Sequence, residues 1–176
     1  MPHFSTDGLD AFFEGKESTI ARDLKLNLKK VMEGDGQLPS DEACMALLAT
    51  ATSVGHAGLA QFAYDQLAAL GVPHDQILEA RESAAIMGML NTYYKFRTMV
   101  GKDDDYRTAG LRMTALARPA MGKEKFEMLA LAVSVINGCE TCIKAHEKVL
   151  RDAGLSADKI HDLARLAAIV KGISSL

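Results

Sequence analysis

Apolar residues near the end of the chain recur every third or fourth position, at Ile160, Leu163, Leu166, Ala167 and Val170. That spacing predicts a helix with one greasy face, capped at its start by Ser156. Upstream, Met128 to Ile136 is apolar nearly all round, which predicts a buried helix. Asn137-Gly138 breaks it, so a second helix should begin at about Cys139 and close near Gly154. Pro39-Ser40 opens another helical stretch, and Gly71, Pro73 and His74 precede a long one expected from about Asp75 to Phe96. The run Gly101-Lys102-Asp103-Asp104-Asp105 then reads as a solvated turn. No stretch alternates for long, so the fold class is all-α.

The pattern also resembles itself at an offset of 83 residues, the separation of Gly71 and Gly154. Leu48 then meets Leu131, Gly55 meets Gly138, Asp75 meets Asp158, and Ala84-Ala85-Ile86 meets Ala167-Ala168-Ile169. We read residues 1–176 as a single domain with a weak internal repeat, about 42–90 and 125–173. His56 stands in the first half where Cys139 stands in the second. Only the second half keeps paired thiols.

Composition narrows the function. With 48% hydrophobic and 24% charged residues, the chain can bury a core and is not disordered. A formal net charge of -3 lacks the basic excess a phosphate backbone demands, so no nucleic-acid partner is expected. No apolar run approaches the roughly 20 residues of a membrane span, and no membrane association is expected. Asp7, Asp10, Glu14 and Glu17 fit neither a secretory nor a transit peptide, so the expected location is cytoplasmic. Nine methionines and the cluster Tyr93-Tyr94-Lys95-Phe96 are expected in the core or a subunit interface. Cys44, among Ala, Met and Leu, reads as a small buried hydrophobe, and His3, His56, His74 and His161 are unassigned.

The chemistry concentrates in residues 126–150. At about 100° per residue, Cys139, Cys142, Ile143 and His146 share one face of the second helix. Glu140 with Lys144 and Glu147 with Arg151 mark the solvated side. Two cysteines three apart at a helix start can close a disulfide, and the helix dipole favours their thiolates. His146 could accept a thiol proton. Glu127, the only charge between Phe126 and Cys139, is suited to orient that imidazole. Spacing alone leaves two other readings open. The thiols could be small core residues, or could join His146 and one of Glu127, His56 or His161 around zinc in a non-catalytic, zinc-stabilised interaction module.

Glu127 followed by Cys139-Glu-Thr-Cys142-Ile-Lys-Ala-His146 resembles the AhpD branch of the AhpD/carboxymuconolactone decarboxylase family. Asp23-Leu-Lys-Leu-Asn-Leu, Ala84-Ala-Ile-Met-Gly-Met-Leu-Asn91 and Gly110-Leu-Arg-Met113 extend the likeness over nearly the whole chain. The resemblance implies an all-helical homotrimer with antioxidant alkyl hydroperoxide reductase activity. Such an enzyme reduces alkyl hydroperoxides or regenerates the peroxiredoxin AhpC, with electrons from a lipoylated dehydrogenase subunit. It implies no bound cofactor or metal, only a redox-active Cys139–Cys142 disulfide and an external dihydrolipoyl reductant. Cys142 would attack peroxide and become a sulfenic acid, Cys139 would resolve it or donate a proton, and Glu127 and His146 would relay protons. Thr141 departs from the family pattern, where histidine often precedes the second cysteine, which implies a shorter relay. The decarboxylase branch of the same family is the alternative enzyme class, and it needs no redox thiols.

Overall fold

The computed structural model describes residues 6–33, 36–102 and 104–176, and these contain helices and no strand. Asp103, in the expected acidic turn, and His3 lie outside the described residues. Seven α-helices follow in order: α1 (Thr19–Met32), α2 (Ser40–Ser53), α3 (Ala57–Ala69), α4 (His74–Val100), α5 (Lys123–Asn137), α6 (Glu140–Asp152) and α7 (Ala157–Ile173). Short 3₁₀ segments, Asp7–Phe13 and Thr114–Ala117, precede α1 and α5.

Two helices without a polar face sit at the centre. In α2 every residue from Glu42 to Ala51 is buried, and in α5 every residue from Met128 to Ser134. A helix apolar all round is stable only when covered on all sides. Accordingly α2 packs on α3, α4, α5 and α7, while α5 packs on α4, α6 and α7. The only charge buried in α2, Glu42, is paired with Lys159 of α7 at 2.7 Å. Asp162 on the same helix is 4% exposed and accepts from Gln37 N at 2.8 Å and Arg165 Nη1 at 2.9 Å, tying α7 to the segment before α2. Burying these carboxylates is tolerable because each has its partner.

Helix ends follow the local chemistry. Ser156 Oγ accepts from Lys159 N at 3.1 Å and caps α7 as its position suggests. The long helix α4 reaches Val100, one turn beyond Phe96, because nothing before Gly101 breaks it; Gly101 then takes the left-handed conformation at φ 66°. Element starts repeat at the offset of 83: Ala57 of α3 against Glu140 of α6, and His74 of α4 against Ala157 of α7. The expected Glu147 and Arg151 pair is replaced. Arg151 Nη1 donates instead to the Leu155 carbonyl at 2.6 Å, and the pairs found along α6 are Glu140 with Lys144 and Lys148 with Asp152, both at 2.5 Å.

Candidate active site

The turn between α5 and α6 sets the two sulfurs. Gly138 N donates to Val135 O and Cys139 N to Ser134 O, each at 3.1 Å, and Gly138 has φ 63°. These are the bonds of a Schellman ending, with glycine at its left-handed position. Nothing lies within 4 Å of a Cβ built on Gly138, so a side chain there is opposed by backbone conformation alone. Gly138→Ala is expected to lower unfolding stability by about 1–2 kcal/mol, read from the denaturant midpoint.

Cys139 is at once the residue after this turn and the N-cap of α6, and its carbonyl accepts Ile143 N at 2.9 Å. Cys142 therefore lies in the first turn of α6, where backbone N–H groups lack helical acceptors and the dipole is positive. Cys139 and Cys142 are joined in a disulfide with Cα atoms 5.3 Å apart, inside the usual range for such bridges. In that state neither sulfur is a thiolate available to a metal. Among the described residues no three His, Cys, Asp or Glu side chains gather in a group able to hold an ion, so the zinc grouping expected as an alternative is not assembled. His56 instead N-caps α3, its Nδ1 accepting from Leu59 N at 3.1 Å.

His146, one turn after Cys142, meets Glu127 from α5: His146 Nδ1 lies 2.7 Å from Glu127 Oε2, with both side chains about one-fifth exposed. A carboxylate accepts from Nδ1–H, which leaves Nε2 of a neutral imidazole able to take a proton. Glu127, Cys142 and His146 line one cavity of about 280 Å³. Its other walls are mostly apolar: Met87, Leu90 and Tyr94 from α4, Met113 and Leu116 from the segment before α5, and Phe126. Cys139 is fully buried behind this wall, whereas Cys142 retains 7% exposure.

The structure thus brings Glu127, Cys139, Cys142 and His146 together. Sequence reasoning missed the α4 wall and the segment before α5. Asn91, a buried amide in an otherwise apolar turn of α4, was the available signal, and Tyr94, expected as core or interface, faces the cavity. Met121 N donates to Glu79 Oε2 at 2.9 Å, anchoring that segment to α4.

Cys44 is fully buried on α2, and burial pushes its thiol up to about 12. Because the folded value exceeds the ordinary 9.0, the thiol costs nothing below pH 9 and removes stability as pH rises from there toward 12. The disulfide form is therefore expected to take up no iodoacetamide at pH 8, the reduced native form one equivalent, at Cys142, and the reduced unfolded chain three, counted by intact mass.

An all-helical scaffold holding a cysteine pair at a helix start beside a half-buried carboxylate–imidazole contact defines a class of disulfide-bearing bundle. The comparisons give that class its family. The carboxymuconolactone decarboxylase family model matches residues 106–176. A protein of Anaeromyxobacter dehalogenans strain 2CP-C named alkyl hydroperoxide reductase AhpD is 42% identical over 151 residues, 85% of this chain and 80% of that protein. Proteins of the same name from Mycolicibacterium smegmatis, 42% identical over 88% of this chain and 86% of theirs, and Gluconacetobacter diazotrophicus, 37% over 88% and 84%, agree. The chain belongs to the AhpD/carboxymuconolactone decarboxylase family. Among the described residues no helix is long and apolar enough to cross a membrane.

Proposed function

We propose that the chain is an antioxidant thiol oxidoreductase that turns over alkyl hydroperoxides through a Cys139/Cys142 dithiol–disulfide cycle, in the cytoplasm, with dihydrolipoyl groups as reductant. The observation that carries the reading is the disulfide at the start of α6, with Cys142 opening into a cavity lined also by His146 and Glu127. The name shared by the relatives, alkyl hydroperoxide reductase AhpD, supports it.

In the reductive half, a dihydrolipoyl thiolate attacks the disulfide to give a mixed disulfide. Its second thiol then displaces the protein sulfur, leaving two cysteine thiols and an oxidised lipoyl ring. In the oxidative half, His146 takes the proton of Cys142, and the thiolate attacks the hydroperoxide oxygen, breaking the O–O bond. Cys142 becomes a sulfenic acid, the alkoxide takes a proton and leaves as alcohol, and Cys139 attacks the sulfenic sulfur, releasing water and restoring the disulfide. Glu127 holds the imidazole and stabilises it when charged. The burial order of the sulfurs suits this division of labour, because the attacking sulfur must meet substrate and the resolving one need not.

Electrons from the same dithiol could instead pass to the disulfide of the peroxiredoxin AhpC, with a lipoylated dehydrogenase subunit as their source. Exposed Met89, Phe96 and Met99 on α4 offer an apolar face for a homotrimer. Steady-state oxidation of dihydrolipoamide, followed with cumene hydroperoxide as acceptor, tests the central reading. Peroxide-dependent turnover of one dithiol per peroxide is expected, and its absence with both cumene hydroperoxide and AhpC as acceptors would overturn the proposal.

A further inference from the structure

Helix α4 grips the redox turn along one stripe. Asn91, buried to 1% exposure, donates from Nδ2 to Ser134 Oγ at 2.9 Å and accepts at Oδ1 from Asn137 Nδ2 at 2.9 Å. One turn on, Lys95 Nζ donates to the Asn137 carbonyl at 2.9 Å. A further turn along, Thr98 Oγ1 lies 2.9 Å from Thr141 Oγ1, between the two cysteines. Positions 91, 95 and 98 share one helix face by their spacing. Ser134 and Asn137 are residues of the Schellman turn that delivers Cys139, so these contacts hold the loop on both sides of that sulfur.

The molecule carries its own control for what the turn needs. At the offset of 83 the end of α2 makes the same closure, with Gly55 N donating to Thr52 O at 3.1 Å, His56 N to Ala51 O at 2.9 Å, and Gly55 at φ 76°. Ala51 and Val54 occupy the places of Ser134 and Asn137, so that turn forms with no side-chain polar groups at those positions. The backbone closure does not require the clamp. The clamp accompanies the thiols.

The cation in this clamp is the informative member. Around the sulfurs, α5 contributes Glu127 and, at its exposed first residue, Lys123, α6 contributes Glu140, Lys144 and His146, and α4 contributes Tyr94, Lys95 and Arg97. Glu127 and His146 are paired with each other, as are Glu140 and Lys144, and Arg97 lies over the Tyr94 ring at 5.9 Å. Lys95 has a carbonyl rather than a carboxylate as its partner, two residues before Cys139. Its charge therefore sits at the turn that leads into the positive start of α6.

We propose that Lys95 is a positioning residue of the dithiol cycle: held by the Asn137 carbonyl, it keeps a positive charge beside the Cys139–Cys142 turn and stabilises the thiolate of the reduced pair. This rests on the dithiol reading above but is measured without peroxide turnover. The test is the pH dependence of iodoacetamide alkylation of the reduced native protein, with Lys95→Gln, Lys95→Met and Lys95→Arg compared. Lys95→Gln keeps an amide donor without charge. It and Lys95→Met are expected to raise the pKa of the reactive thiol by about half a unit to one unit. Both should also shift the exchange equilibrium with dihydrolipoamide up to about tenfold toward the protein disulfide. Lys95→Arg is expected to keep the wild-type value. An unchanged thiol pKa in Lys95→Gln, or an equal rise in Lys95→Arg, would overturn the assignment even if peroxide turnover proceeds. If the thiols shift as expected but no turnover with lipoyl reductant occurs, the failure belongs to the proposed function instead.

Discussion

Replacing Cys142 by serine is expected to lower dihydrolipoamide-dependent hydroperoxide turnover by about 10³-fold or more, since the hydroxyl left behind has no thiolate to attack oxygen or sulfur. Cys139→Ser should fall as far in steady state by a different route. Cys142 can still react once, but the sulfenic acid then has no buried thiol to resolve it. A single turnover followed by arrest, with sulfenic acid trapped by dimedone, distinguishes the two variants. Cys44→Ala is expected to retain turnover, because that thiol is buried on α2 away from the cavity. Full activity in both Cys139→Ser and Cys142→Ser would remove the thiols from the mechanism.

The second large effect concerns the pair Glu127 and His146, joined at 2.7 Å. Removing the imidazole as His146→Gln is expected to reduce kcat with peroxide about 10²–10⁴-fold, the usual worth of a positioned acid–base group. Glu127→Gln should cost less, because an amide can still contact the ring without stabilising its charged form. If the two act as one relay, the double variant falls no further than His146→Gln alone. Additive losses in pre-steady-state rates would mean that the residues serve separate steps.

Most of the scaffold was legible because its signals are local. The Met128 to Ile136 run has no polar face, and that demands a central helix whatever surrounds it. Asn137-Gly138 marks the turn that sets Cys139 at a helix start, so the shared face of Cys139, Cys142 and His146 follows from helical spacing. The contact between Glu127 and His146 was the least local inference, since it depends on α5 and α6 packing side by side. It could be anticipated because a lone carboxylate in an apolar helix needs a partner.

The rest of the site depends on tertiary packing that no local pattern encodes. Tyr94 and Asn91 belong to a helix 35 or more residues before the cysteines in the chain, and only the packing of α4 against α5 turns them toward the cavity. Met113 and Leu116 lie in a stretch largely without regular structure whose course is held by contacts such as Met121 N to Glu79. The offset of 83 matched Cys139 with His56. Both prove to be N-caps, but His56 spends its Nδ1 on Leu59 N and stands in a half without thiols.

Intact mass of the native protein, taken through one round of reduction and oxidation, tests the account most directly. Excess dihydrolipoamide should add about 2 Da as the Cys139–Cys142 bond opens, and one equivalent of alkyl hydroperoxide should then remove the same about 2 Da with one alcohol formed. A mass that does not respond to the lipoyl dithiol, or reduced protein that leaves the hydroperoxide intact, would contradict it.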